Sequence, residues 1–316
     1  MQKRKALIPL CVVFIFSILV TLIAINRDSA PTEDTVSASA SEKTEIRVFK
    51  DIRYGPEAVQ TLDLNLPVGG TKDRGLVIFL HGGGWIGGDK SSVEKSYPVF
   101  KSNKYFATAS INYSLVNDGK SDIHDIIDDI TLAMEQIKTL ASSYSVNLNK
   151  VVLGGHSAGG HLSLLYAYKY ADISPIELVG VFASAPVADL SIEAFYTDNT
   201  YGDEKKMCTI ISQLCGKDFD SKTRKSVKDI LDEHSAINYV SDSTVPTIIL
   251  HGSNDTIAPI FGSLMLTEEL TKHAVNHELV LFENAGHSMK NCEETRKYAS
   301  ELMLACVKEW FDITTE

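Results

Sequence analysis

The sequence predicts an α/β fold: a mostly parallel, twisted sheet with helices on both faces and a small lid insertion. Three observations carry this. Short, fully apolar runs such as Leu76–Leu80, Val151–Leu153 and Leu178–Ala183 read as strands buried on both faces. Longer segments of helical spacing lie between them, as crossover connections of a parallel sheet require. Glycine-rich or polar motifs follow the strands directly, where proteins of this class place their ligands. With 316 residues, 44% hydrophobic and 22% charged, the chain is long enough for one large domain of this kind. A net charge of −11 argues against a nucleic-acid partner.

Residues 1–27 are set apart. Lys3, Arg4 and Lys5 precede an uncharged run from Ala6 to Ile25. Twenty residues at a helical rise span about 30 Å, one bilayer core. The run reads as an uncleaved membrane anchor with its N-terminus inside. A cleaved signal peptide is the competing reading, but the small-x-small run Ala38-Ser39-Ala40 lies far beyond Ile25. The expected location is the cell membrane, single-pass, with an extracytoplasmic domain; secretion is the alternative. Residues 28–44, rich in Ser, Thr, Ala, Asp and Glu, read as a flexible linker. The domain itself spans 45–316. An exported domain permits disulfides; Cys208 and Cys215 are close in sequence and could bridge, but spacing alone decides no connectivity and free buried thiols are the alternative. No Cys/His grouping has zinc spacing, so no metal is expected.

Ile46–Ile52 and Thr61–Pro67 alternate as strands around the turn Tyr54-Gly55-Pro56, an antiparallel hairpin at the sheet edge. The strand Leu76–Leu80 runs into His81-Gly82-Gly83-Gly84-Trp85. Backbone amides of such a loop can hold an oxyanion when no side chain obstructs them. His81 and Trp85 are expected to pack and hold the loop. A helix near 91–101, a strand over Phe106–Tyr113 and a long helix from Ser121 to Ala141 come next. The carboxylates Asp122, Asp125, Asp128 and Asp129 read as a solvated face and a helix N-terminal charge bias rather than a cation site.

The run Val151–Leu153 leads into Gly154-Gly155-His156-Ser157-Ala158-Gly159-Gly160, and an apolar helical segment follows. Strand, G-x-S-x-G and helix in that order make a nucleophile elbow, with Gly155 and Gly159 flanking Ser157 because side chains there would collide with backbone. The elbow's own donor is the amide of Ala158, and the glycine loop at 82–84 is its expected partner. After the strand Leu178–Ala183, residues 185–244 are too long for a plain crossover and read as a lid, polar and without a sustained apolar stripe. The strand Pro246–Leu250 ends in His251-Gly252-Ser253-Asn254-Asp255, and a helix over Pro259–His273 follows. The strand Glu278–Glu283 ends in Asn284-Ala285-Gly286-His287, and a closing helix covers Asn291–Phe311. Ser157, Asp255 and His287 thus each follow a strand, in the chain order Ser, Asp, His. Asp189 is the rival acid. His156 and His161 sit on the elbow itself, and His251 reads as packing.

These stretches resemble the α/β-hydrolase esterases, in particular the carboxylesterase group of BD-FAE-like and hormone-sensitive-lipase-like enzymes. The matching stretches are Tyr54-Gly55 through Leu62–Pro67, HGGGWIGGDKSS at 81–92, INYSL at 111–115, GGHSAGGHLSLL at 154–165, HGSNDTIAP at 251–259 and AGHS at 285–288. The resemblance implies the α/β-hydrolase fold and a serine esterase without cofactor, acting on a small-molecule or glycan ester. Ser157, Asp255 and His287 would be its triad, with Gly83, Gly84 and Ala158 as oxyanion donors. One departure is Ser114, where the group commonly has Arg after the tyrosine; this puts a supporting salt bridge in doubt. An amidase, arylformamidase or peptidase on the same residues, or a non-catalytic surface binding module, are the other readings.

Overall fold

The computed structural model describes residues 44–92, 100, 103–191 and 204–314. The apolar run Ala6–Ile25, the linker and most of the helix expected near 91–101 lie outside the described residues, as do 192–203 of the lid. Among the described residues no helix is long and apolar enough to cross a membrane.

Eight strands form one sheet: β1 (Glu45–Arg53), β2 (Thr61–Val68), β3 (Asp73–Leu80), β4 (Ala107–Asn112), β5 (Asn147–His156), β6 (Glu177–Ser184), β7 (Thr247–Gly252) and β8 (His277–Phe282). Their order is β1-β2-β4-β3-β5-β6-β7-β8. The β1–β2 hairpin is antiparallel and sits at the edge, and β2 meets β4 antiparallel. From β4 onward every neighbour is parallel. The chain adds β4 on one side of β3, then crosses to add β5 on the other side. That reversal opens a crevice at the carboxyl ends of β3 and β5, the place where such sheets hold ligands.

Helices cover both faces, which is why β3 is apolar throughout rather than alternating. Leu76, Ile78 and Leu80 point into one core with Ile126, Ile130 and Met134 of α1 (Ile123–Ser143). Val77 and Phe79 point into the other, with Phe182 and with Met303 and Val307 of α6 (Glu293–Trp310). The remaining helices are α2 (Ala158–Lys169), α3 (Glu204–Leu214), α4 (Lys228–Glu233) and α5 (Phe261–Lys272).

Two expectations are corrected. The acidic run at the start of α1 is only partly a solvated face. Asp122 caps the helix, accepting from His124 N at 2.8 Å while Asp125 accepts from Asp122 N at 2.9 Å. Asp129, however, is 2% exposed and takes Gln60 Nε2 at 2.5 Å and the Ser114 N–H at 2.7 Å. With serine at 114, backbone and amide donors serve this carboxylate. Burial raises its pKa against those bonds. Second, the lid does carry an apolar stripe. Met207, Ile210, Ile211 and Leu214 lie at helical spacing on α3 and are all buried in the main core. Cys208 and Cys215, whose pairing the sequence leaves open, are both free. Seven residues along a helical rise separate their backbones by about 10 Å, beyond the span of a disulfide.

Candidate active site

The elbow forms where β5 ends and α2 begins. Ser157 sits between them at φ 56°, ψ −119°, a strained conformation for a residue with a side chain. Two close approaches enforce the turn. A Cβ on Gly155 would lie 2.3 Å from the carbonyl carbon of Gly159, and one on Gly159 would lie 2.1 Å from the carbonyl oxygen of Leu80. Only glycine fits at either place. The Ser157 amide donates to the Ser184 carbonyl at 2.8 Å, tying the elbow to the end of β6.

The glycine loop leaves β3 beside it. A Cβ on Gly82 would be 3.3 Å from Ser157 Cβ, so the loop starts against the serine side chain. Gly83, Gly84 and Trp85 then take positive φ of 127°, 63° and 61°. Among the described residues the amides of Gly83, Gly84 and Ala158 donate to no protein acceptor. His81 and Trp85 hold the loop as expected. His81 stacks on Tyr113 at 4.2 Å, and Tyr113 Oη donates to the His81 carbonyl at 2.7 Å. Trp85 is 1% exposed, and its Nε1 donates to His161 Nδ1 at 3.2 Å. His161 Nε2 in turn donates to the His234 carbonyl in the lid at 2.8 Å.

The loops after β7 and β8 bring Asp255 and His287 together. His287 Nδ1 lies 2.7 Å from Asp255 Oδ2. The other oxygen, Oδ1, accepts from the amides of Ile257 at 2.8 Å and Ala258 at 3.0 Å. Burial alone would raise this carboxyl's pKa. Bonds from His251, His287 and the backbone outweigh it and hold the group well below the usual carboxylate range, so it is an anion at neutral pH. The two loops are laced by Ser253 N to Phe282 O at 3.0 Å and Asn254 N to Ala285 O at 2.9 Å. His156, just before the serine, reaches across: its Nε2 is 3.0 Å from the His287 carbonyl oxygen. Among the described residues Ser157 Oγ makes no hydrogen bond to His287; such bonds are often long in free enzymes and tighten with substrate.

The rival acid plays another part. Asp189 Oδ1 takes the Ser191 amide at 2.7 Å and Ser235 Oγ at 3.3 Å, pinning the lid's first turn. Three contacts escaped the sequence: Gly82 against the serine, His156 against His287, and His251 against Asp255 at 3.3 Å. The last had a signal, since His251 stands at a strand's carboxyl end on the same loop as the acid. No group of three or more His, Cys, Asp or Glu side chains among the described residues is placed to hold a metal.

Fold and residue placement together define an α/β hydrolase: a mostly parallel sheet, an elbow serine after β5, and an Asp–His pair after β7 and β8. The BD-FAE family model matches residues 62–270, and the dienelactone hydrolase family model matches 231–314. The chain belongs to the BD-FAE family. It is similar to the kynurenine formamidase of Danio rerio, 26% identical over 159 residues, covering 49% of this chain and 51% of that protein. It is also similar to the isoprenylcysteine alpha-carbonyl methylesterase ICME of Arabidopsis thaliana, 23% identical over 253 residues, covering 77% and 57%. The chain thus spans little more than half the length of these curated relatives. Among solved structures, a truncated carbohydrate esterase from gut microbiota superposes with a TM-score of 0.66 at 16% identity, covering 85% of this chain and 98% of that one.

Proposed function

We propose that the chain is a serine carboxylesterase that removes short acyl groups from a sugar or small-metabolite scaffold. In this reading Ser157 Oγ attacks the ester carbonyl and His287 Nε2 takes its proton. Asp255 fixes the imidazole tautomer and stabilises the imidazolium. The amides of Gly83, Gly84 and Ala158 receive the oxyanion. The tetrahedral intermediate collapses, the alcohol leaves with the proton from His287, and water repeats the cycle on the acyl-enzyme. The observation that carries the reading is the 2.7 Å bond between His287 and the anionic Asp255, on the sheet edge where strained Ser157 stands.

Short acyl groups are favoured by what surrounds the elbow. Pro186 packs on Gly160, its Cβ 3.2 Å from where a Cβ there would sit. The lid's apolar stripe, on α3, is buried in the core and lines no groove for a long chain. Each methylene buried in such a groove would be worth roughly 0.8 kcal/mol. The test is kcat/KM across a p-nitrophenyl ester series kept below micelle formation. A maximum at acetyl to butyryl with a fall by about octanoyl is expected, and a maximum at decanoyl or longer overturns the short-chain reading.

The similarity to a formamidase favours a second reading, amide cleavage on the same residues. Matched acetyl ester and acetanilide substrates separate the two: an ester preference supports the first, faster anilide turnover the second. The run Ala6–Ile25 is, in the same proposal, a membrane anchor that holds the catalytic domain on the extracytoplasmic side.

A further inference from the structure

Asp255 meets two imidazoles, not one. His251, at the end of β7, places Nε2 3.3 Å from Asp255 Oδ2, the same oxygen that meets His287. The ring is fully buried, and both nitrogens have partners. Nε2 lies 2.8 Å from the Ala258 carbonyl oxygen and Nδ1 lies 2.8 Å from Ser263 Oγ on α5. The tautomer follows from these partners. A carbonyl and a carboxylate can only accept, so Nε2 carries the hydrogen. Nδ1 is then the acceptor, and the Ser263 hydroxyl donates to it.

We infer that His251 is a positioning residue for the reaction: an imidazole whose Nε2–H, shared between Asp255 Oδ2 and the Ala258 carbonyl, aims that oxygen at His287 Nδ1. This rests on the reading of Ser157, His287 and Asp255 as the triad. A carboxylate on a loop can rotate about its last bond. Here Oδ1 is held by the amides of Ile257 and Ala258, and Oδ2 is held from one side by His251 and met from the other by His287. Four donors fill the acceptor sites and leave one orientation. Ser263 extends the support to α5, so a rigid helix, not a loop, sets the imidazole. The other histidine close by, His156, meets the His287 carbonyl and does not substitute for this contact.

The test uses the full chain with p-nitrophenyl acetate, and active sites counted by a fluorophosphonate label taken to completion. His251→Phe keeps the ring volume and loses the donor. It is expected to lower kcat per labelled site by about 10- to 100-fold with KM within about twofold, because a small misplacement of a catalytic group costs that much. His251→Gln retains an N–H and should recover most of the loss. Ser263→Ala, which frees the tautomer, should lower kcat by about 3- to 10-fold with KM unmoved. In proton NMR the strongly deshielded His287 Nδ1–H should be present in the wild type and in His251→Gln, and lost in His251→Phe. A His251→Phe enzyme with wild-type kcat per labelled site overturns the inference. So does an equal loss in the Phe and Gln variants that follows melting temperature alone. Should His251→Phe fail to fold, an unaltered kcat and resonance in Ser263→Ala overturns it. Wild-type kcat in His287→Ala would instead sink the triad, a result the His251 series does not mimic.

Discussion

His156 Nε2 lies 3.0 Å from the carbonyl oxygen of His287, and the two rings are 4.7 Å apart. The residue that precedes the elbow serine therefore grips the backbone of the histidine presented to it. Burial holds the His156 pKa down at about 4, so the ring is neutral near pH 7 and donates from one nitrogen only. With Nε2–H on the carbonyl, Nδ1 is a bare acceptor turned toward Gly82.

Stability should fall with acid between pH 6.5 and about 4. Burial lowers His156, His161 and His234 from 6.5 to about 4 each. The unfolded chain binds a proton at each below pH 6.5, and the folded chain does so only near pH 4. These groups give no slope above pH 6.5 and cost stability as pH falls through the window. Asp129, raised above 3.8 by burial, opposes them as one group against three. Urea midpoints at pH 7.5, 6.5, 5.5 and 4.5 check this; a midpoint that stays level or rises on acidification contradicts it.

Replacing the reacting side chains should separate the two candidate acids. Ser157→Ala and His287→Ala are each expected to lower kcat by about 10⁶, and Asp255→Asn by less, with the double variant little worse than either single. Asp189→Asn should leave kcat within about threefold, because Asp189 bonds Ser191 and Ser235 rather than His287. Greater damage from Asp189→Asn than from Asp255→Asn would reverse the assignment.

Glycine substitutions should differ by site. Gly159→Ala sets a methyl 2.1 Å from the Leu80 carbonyl oxygen, and backbone must move to admit it. A loss of about 2–4 kcal/mol is expected, with loss of fluorophosphonate labelling. Gly119 also has a positive φ, 68°, but open space around it. Gly119→Asn, a residue tolerant of that conformation, should cost no more than about 0.5 kcal/mol. Thermal unfolding of the two side by side is the measurement.

Full-length protein should fractionate with membranes and expose its domain to external protease. A chain beginning at Glu45 should be soluble and active. Recovery of a mature form starting between Asp28 and Ser41 would show cleavage instead of anchoring.

The strands and the candidate site residues were legible because each depends on local pattern. Leu76–Leu80 announces a doubly covered strand, and Gly155 and Gly159 bracket Ser157 in five residues. What escaped depends on distant partners. Asp129 looked like its solvated neighbours, and its partners in the fold are Gln60, sixty-nine positions away in sequence, and the Ser114 amide. The stripe Met207, Ile210, Ile211, Leu214 was hidden by the charges around it, Glu204, Lys205 and Lys206. The grip of His156 on His287 spans 131 positions, and no local spacing encodes it.

The approach of Gly159 to the carbonyl oxygens of Leu80 and His81 has a mechanical meaning. Main chain rests on main chain there, so the start of α2 and the root of the glycine loop are a single rigid body. A backbone contact of this kind limits how far side-chain exchange nearby can shift Ser157 relative to the glycine loop. Diversification of such a hydrolase therefore falls on its cover. Within that cover, His234 and the stripe on α3 are tied to the glycine loop and the core, so a new scaffold is to be met by changes elsewhere in it.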